Sequence, residues 1–323
     1  MTIRSRVGCP DLFKWLKQEE VCEYRSREFR FGRGLGFLKH HGGDSRLKIA
    51  TWNLKYALAP RAKTPDLLSW AEANIAADAY AFTESNMPAD LGAEWNVLWD
   101  SNGVHTGVTR KWGTTLASTK VELVPVEEVK VGFRTHKLRF EWPAAVQVAD
   151  LVQDGKVWGT LVGLYGVTRD CRGNNIKSGA YSVPKLLKQL KPLFDSPRGK
   201  RVVVAGDFNL WPGDVQRFAR KYGLIDLVEH TASTRQPLEN CWNCKYFPEY
   251  RRGSRTCGHL FTHRNGPKPK PGKKFGGMIQ QIDYIWASPE LAKRVVRVHG
   301  GHQSFPDIWG LSDHAPVIAE FER

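Results

Sequence analysis

At 323 residues, with 41% hydrophobic and 25% charged side chains, the chain can bury a large core and is not a disordered polymer. That length suits one large α/β domain or two smaller ones. A formal charge of +15 at pH 7 favours polyanionic partners, nucleic acid first and anionic membrane second. No apolar run approaches a membrane span and the first residues lack the apolar core of a signal peptide, so the six cysteines are expected as reduced thiols in the cytoplasm.

Residues 1–46 read as a basic N-terminal extension of no assignable function. Its glycine-rich piece at 31–37 neither follows a clear strand nor opens a clear helix, which leaves phosphate cradling weakly supported. Residues 47–53 (LKIATWN) alternate as a half-buried strand ending on Asn53. A helix follows, with Thr64 as N-cap, Pro65 in the first turn, and Leu67, Leu68, Ala71 and Ile75 on one face. Residues 80–84 (YAFTE) form a short apolar strand that ends in Glu84. Alone, Glu84 would be a solvated strand end. Beside Asn53 and a further strand-end carboxylate it is a candidate ligand for a hard divalent cation, because Mg²⁺ takes few protein oxygens and keeps waters for substrate.

Short strands are expected at 95–99, 113–118, 121–124, 137–142 and 144–150. Residues 157–165 (VWGTLVGLY) are a buried strand leading out through Tyr165, either a packed aromatic or a phosphate contact. Arg169, just beyond it, is a candidate nucleic-acid contact. A helix over 182–194 then feeds the stretch 201–214 (RVVVAGDFNLWPGD). Its valines predict a buried strand, after which Asp207 and Asn209 follow two residues apart. Period-two geometry places those side chains on one side, where a carboxylate and a carboxamide can orient a water beside a phosphate. The plainer alternative is an Asp/Asn turn. Trp211 is a second candidate nucleic-acid contact, and a helix over 214–222 follows.

Residues 235–275 carry ten Arg and Lys against two acids, a surplus of eight within the net +15. Aromatic residues interleave with this charge, which suits backbone neutralisation and base stacking, with Arg251, Arg252 and Arg255 as candidate contacts. A solvated insertion is the alternative, favoured for the Pro-Lys repeat at 267–270. Cys241, Cys244, Cys257, His259 and His263 run as C-x2-C and then C-x-H-x3-H, a spacing that resembles structural zinc sites. Free thiols or an incidental disulfide are the alternatives.

Residues 281–288 (QIDYIWAS) are an apolar strand with Asp283 inside it, and a buried carboxylate needs a partner. His314, in the Ser312-Asp313-His314 stretch before a strand at 317–321, can supply it. A histidine oriented and made more basic by a buried carboxylate suits catalysis, whereas a lone one would cap or face solvent.

WN at 52–53, TE at 83–84, GDFN at 206–209, IDYI at 282–285 and SDH at 312–314, in that order, resemble the endonuclease/exonuclease/phosphatase superfamily over about residues 47–323. That superfamily includes pancreatic deoxyribonuclease, abasic-site endonucleases, inositol polyphosphate 5-phosphatases and bacterial sphingomyelinases. The resemblance implies an α/β fold, a four-layer sandwich of two mixed sheets packed face to face with helices outside. It implies Glu84 as the principal Mg²⁺ ligand (Mn²⁺ being the alternative metal), with Asn53 and Asp313 on the metal or its waters. Asp207 would orient or deprotonate the attacking water, and Asn209 would hold a phosphate oxygen. His314, steadied by Asp283, would bind the scissile phosphate or assist proton transfer, and Tyr165 falls where many members place a His or Tyr against the phosphate. Abasic-site enzymes usually carry an Asp two residues beyond the first-strand Asn, and Lys55 stands there instead.

The expected function is therefore a Mg²⁺-dependent nuclease acting on DNA through a metal-activated water, as a monomer. The alternatives are a phosphatase or phosphodiesterase for an inositol phosphate, lipid head group or nucleotide, and an inactive nucleic-acid-binding protein.

Overall fold

The computed structural model describes residues 46–55, 64–87, 91, 94–99, 112–168, 179–234, 258–265 and 278–323. The N-terminal extension before Arg46, the basic tracts 235–257 and 266–277, and with them Arg169, Arg251, Arg252, Arg255, Cys241, Cys244 and Cys257, lie outside the described residues.

In chain order the strands begin with β1 (Arg46–Asn53), β2 (Ala79–Ser85), β3 (Asn96–Trp99), β4 (Gly113–Ser118), β5 (Glu122–Pro125), β6 (Glu128–Val131) and β7 (Arg134–Lys137). They continue with β8 (Val146–Gln153), β9 (Lys156–Leu164), β10 (Val202–Asp207), β11 (Ile225–Asp226), β12 (His263–Asn265) and β13 (Met278–Gln280). The last three are β14 (Asp283–Ala287), β15 (Val295–Gly300) and β16 (Val317–Glu322). One sheet has the order β15-β16-β1-β2-β4-β3 and the other β11-β14-β10-β9-β8-β5. Both are mixed, since β1 pairs parallel with β2 and β10 with β9 while the other neighbours within each sheet run antiparallel.

Alternation along each strand builds the layers. Leu47 and Ile49 of β1 join Leu161 of β9, Val203 and Ala205 of β10 and Ile285 of β14 in the core between the sheets. The intervening Ala50 and Trp52 point the other way, onto Leu67, Leu68 and Ala71 of helix α1 (Thr64–Asn74). On the far side, Val204 and Trp286 pack against helices α2 (Val183–Gln189), α3 (Lys191–Asp195) and α4 (Pro212–Lys221). A strand buried on both faces must be apolar at nearly every position, which is why 202–205 reads as an uninterrupted run. The chain is thus an α/β sandwich of four layers, as its motifs imply. None of its described helices is long and apolar enough to cross a membrane.

Three local expectations change. Residues 138–142 are not a strand. Leu138, Phe140 and Trp142 do alternate and pack on the outer core, but Pro143 cannot donate to a ladder and opens a 3₁₀ turn. The pairing falls earlier, in the β6–β7 hairpin, where Gly132 at φ 59 makes the turn. The helix over 182–194 is two short helices meeting at Leu190, because Pro192 fits a first helical turn and not a helix interior. The helix expected over 214–222 begins two residues earlier, at Pro212.

Candidate active site

The catalytic candidates converge at one edge of the sandwich. Asn53 ends β1, Glu84 lies near the end of β2, Asp207 ends β10, Asp283 begins β14, and His314 precedes β16. The parallel pair β1–β2 brings Asn53 and Glu84 to one end of their sheet, and the antiparallel pair β10–β14 brings the last residue of β10 to the first of β14. Asp207 and Asp283 are direct partners across β10 and β14. On the other side of β10, Gly206 permits close approach to β9, for a Cβ there would come within 1.8 Å of the Leu164 carbonyl oxygen.

Asp207 is 1% exposed and is the most heavily bonded of the set. Asn53 Nδ2 donates to its Oδ2 at 2.9 Å, Asn209 Nδ2 donates to the same oxygen at 3.2 Å, and the Asn209 amide donates to Oδ1 at 2.8 Å. Asn209 does not continue the strand. It turns to φ 49, so the Asp/Asn turn and the paired polar site are one structure, an Asx turn aimed into the cleft. Its Nδ2 also donates to the Gly166 carbonyl at 3.0 Å.

His314 is held at both ring nitrogens. Nδ1 lies 2.9 Å from Asp283 Oδ2, and Nε2 lies 3.9 Å from Asp207 Oδ2. Its backbone is fixed as well: Trp52 Nε1 donates to the His314 carbonyl at 2.9 Å, and the His314 amide donates to Ser312 Oγ at 3.1 Å. Ser312 Oγ donates in turn to the Asn53 carbonyl at 2.8 Å. Burial alone would lower the basicity of His314, but the Asp283 carboxylate, helped by Asp207, outweighs it and raises the imidazole to about 10. The ring is therefore an imidazolium between two carboxylates. Burial, and then the Asp283 charge, push the Asp207 carboxyl upward, which makes it a better proton acceptor than a solvated aspartate.

Glu84 adopts φ 45, an uncommon conformation for a residue with a side chain, where the β2–β4 pairing shifts register. Burial raises its carboxyl, opposed by His314 and by hydrogen bonds from Asn53 and Tyr165. The Tyr165 hydroxyl donates to Glu84 Oε1 at 3.0 Å, and burial together with Glu84 keeps that hydroxyl protonated. Asp313 faces Lys55 instead, with Nζ 2.7 Å from Oδ2. Lys55 also sits at positive φ, 52, and its amide donates to Asn53 Oδ1 at 2.8 Å.

Ligand atoms of Asp207, Asp283 and His314, all buried, lie within 4.8 Å of one another, but His314 joins a metal there only by giving up a ring proton. Asp283 Oδ1 is buried and has no hydrogen-bond partner among the described residues, as expected of a group meant for a stronger partner. Glu84 and Asn53 offer oxygens to a hard divalent ion, and Asp313 offers another in competition with Lys55.

Trp211 is half-buried immediately before α4, close in sequence to Asn209. His259 is described, but its proposed zinc partners Cys241, Cys244 and Cys257 are not. His263 lies in the cleft: its ring packs tilted against His314 with centroids 4.4 Å apart, and its Nδ1 is bonded to Gln280 Nε2. Burial, then the His314 and Lys55 charges, bring His263 down to about 2, so it is neutral. Sequence reasoning missed this neighbour, along with Gln280 and Thr262, whose Oγ1 accepts from the Ile282 and Asp283 amides at 3.2 and 3.3 Å. A Thr-His pair two strands ahead of the buried Asp283 was the available signal.

Fold and site together define a hydrolase built on a two-sheet α/β sandwich. The chain belongs to the endonuclease/exonuclease/phosphatase family, whose sequence profile matches residues 50–314. Among solved structures it is similar to the 3'-5' exonuclease NExo from Neisseria meningitidis, at 18% identity and a TM-score of 0.54, covering 86% of this chain and all of that one. An AP endonuclease from Archaeoglobus fulgidus is similar at 18% identity and 0.52, again over 86% of this chain and 100% of that one. Truncated TDP2 from Caenorhabditis elegans is similar at 15% identity and 0.54, over 86% of this chain and 98% of that one. No curated protein matches the chain.

Proposed function

We propose that this protein is a Mg²⁺-dependent nuclease that hydrolyses DNA phosphodiester bonds, Mn²⁺ being the alternative metal. The observation that carries the reading is His314 seated between Asp283 and Asp207 while Asn53 and Asn209 fix the Asp207 carboxylate. Asp207 accepts a proton from a water as that water's oxygen bonds to phosphorus. The bond from phosphorus to the departing ester oxygen breaks, and that oxygen takes a proton from solvent. His314, kept cationic by Asp283, hydrogen-bonds a non-bridging oxygen where negative charge accumulates. The Asn209 carboxamide and the Tyr165 hydroxyl donate to Asp207, Gly166 and Glu84 and so hold the two carboxylates beside the phosphate. Glu84, with Asn53 and Asp313, would hold the divalent ion, which offsets phosphate charge.

DNA is favoured as substrate by the charge of +15 and the basic surplus at 235–275. The names of the similar structures, an exonuclease and an AP endonuclease, point the same way. A plasmid-nicking assay with Mg²⁺ or EDTA, with His314→Ala beside wild type, tests the reading. Nicking that needs both the metal and His314 is the expected outcome; equal nicking by His314→Ala would sink it.

A further inference from the structure

A segment between the two basic tracts closes against the histidine of the site. The Arg264 amide donates to the Asp313 carbonyl at 2.9 Å, the Ala315 amide donates to the Thr262 carbonyl at 2.7 Å, and His263 stands directly opposite His314 in an antiparallel bridge. Directly paired residues of antiparallel backbones send their side chains to the same side, so both rings occupy the cleft. Their centroids are 4.4 Å apart and their planes inclined at 35°. His314 is buried, whereas His263 is only partly so.

His263 is held for more than stacking. Gln280, a buried residue, turns its Nε2 onto His263 Nδ1 while its own Oε1 has no partner among the described residues. A ring whose Nδ1 accepts that bond carries its proton on Nε2. Nε2 has no hydrogen bond to any described residue, and the ring is not fully enclosed. A phenylalanine would stack on His314 equally well and would not need the buried amide.

We propose that His263 is a substrate-contacting residue, whose Nε2–H donates a hydrogen bond to an oxygen of the phosphodiester bound beside His314. This rests on the phosphodiesterase reading above and adds to it a second imidazole. The two rings divide the work. His314 is flanked by the Asp283 and Asp207 carboxylates, whereas His263 meets only the neutral Gln280 amide at Nδ1 and is left a directional donor at Nε2. The position suits a polyanion: the tracts 235–257 and 266–277, on either side of the segment in sequence, hold nine of the ten basic residues at 235–275.

The test compares wild type with His263→Phe, which keeps the stacking surface, and His263→Gln, which keeps a donor. Two readouts are taken: the Kd of a hydrolysis-resistant phosphorothioate DNA oligonucleotide in EDTA, and kcat/KM on ordinary DNA with Mg²⁺. His263→Phe is expected to weaken binding about tenfold and to lower kcat/KM by about tenfold or more, as for loss of one hydrogen bond to a charged group. His263→Gln is expected to recover most of both. If His263→Phe binds and cleaves within twofold of wild type, or His263→Gln is no better than Phe, the proposal is overturned and His263 only packs. His263→Ser, read by the same measurements against His263→Gln, serves if Phe does not fold. Wild type that leaves DNA uncut overturns the nuclease reading, and the comparison then moves to bis(4-nitrophenyl) phosphate, where equal rates for wild type and His263→Phe overturn this proposal. Wild type inert on both substrates overturns the two together.

Discussion

Asp207 and Asp283 are direct partners across two antiparallel strands, and both reach the same imidazole. Two buried carboxylates on one edge repel each other. His314 relieves that repulsion only while it carries a proton, and its charge state is thereby written into the strand pairing.

Asp283→Asn should therefore act through His314. The amide cannot balance an imidazolium, so His314 loses its proton near neutrality while its place in the fold is kept. The expected loss is in kcat, about 10²- to 10⁴-fold at pH 7 as for removal of an acid–base partner, with KM changed little. Steady-state kinetics on a fluorogenic duplex measures it.

Stability of the metal-free protein should fall as pH rises. His314 goes from an ordinary value of about 6.5 in the unfolded chain to about 10 in the folded one. A group whose folded value is raised contributes fully below its unfolded value and loses that contribution as pH climbs through the folded one. The raised carboxyls of Asp207 and Glu84 act in the same direction. Melting temperatures in EDTA should decline between about pH 6.5 and 10, and His314→Gln should flatten that decline.

Lys55 is a competitor for Asp313. The pair is 2.7 Å apart with both side chains roughly a quarter exposed, 26% and 28%. Such a pair is worth about 0.2–1 kcal/mol. Lys55→Ala should then lower the Mg²⁺ concentration for half-maximal cleavage by about 1.4- to fivefold, since 1.4 kcal/mol corresponds to tenfold. A Mg²⁺ titration of initial rates shows the shift; an unchanged midpoint would place Asp313 outside the metal's reach.

The basic tract gives a salt prediction. If Arg251, Arg252 and Arg255 neutralise phosphates, replacing all three with Ala should reduce the slope of log K against log salt on duplex DNA by about 0.9 for each phosphate left without its arginine. Anisotropy titrations at four salt concentrations suffice. An unaltered slope moves the DNA surface elsewhere.

The four-layer fold was readable because its central strands are buried on both faces, which leaves apolar runs such as 202–205 and 283–287 interrupted only where chemistry requires it. Asn53, Glu84 and Asp207 stood out for that reason as polar residues at strand ends, and Asp283 as a carboxylate expected inside a strand, which in fact begins at it. The hairpin at β6–β7 was not readable, since its strands are mostly exposed and carry little apolar signal. The place of His263 beside His314 was not readable for a different cause. A Cys/His spacing is a local pattern, whereas the partners that hold this histidine, Gln280 and His314, are 17 and 51 residues further along. Local pattern cannot weigh contacts closed by sheet pairing.

β1 is paired along its length with β16, from Arg46 opposite Glu322 to Thr51 opposite Val317, and the Ser312–Asn53 and Trp52–His314 bonds extend that seam to the cleft. During synthesis, the polypeptide from Arg46 onward must wait, with β1 lacking this neighbour, until residues 312–322 leave the ribosome. A nascent chain stalled between Asp283 and Ser312 has made Asp207 and Asp283 but not the imidazole that lies between them. The His314 end of the cleft is thus assembled by the same zippering step that pairs β16 with β1.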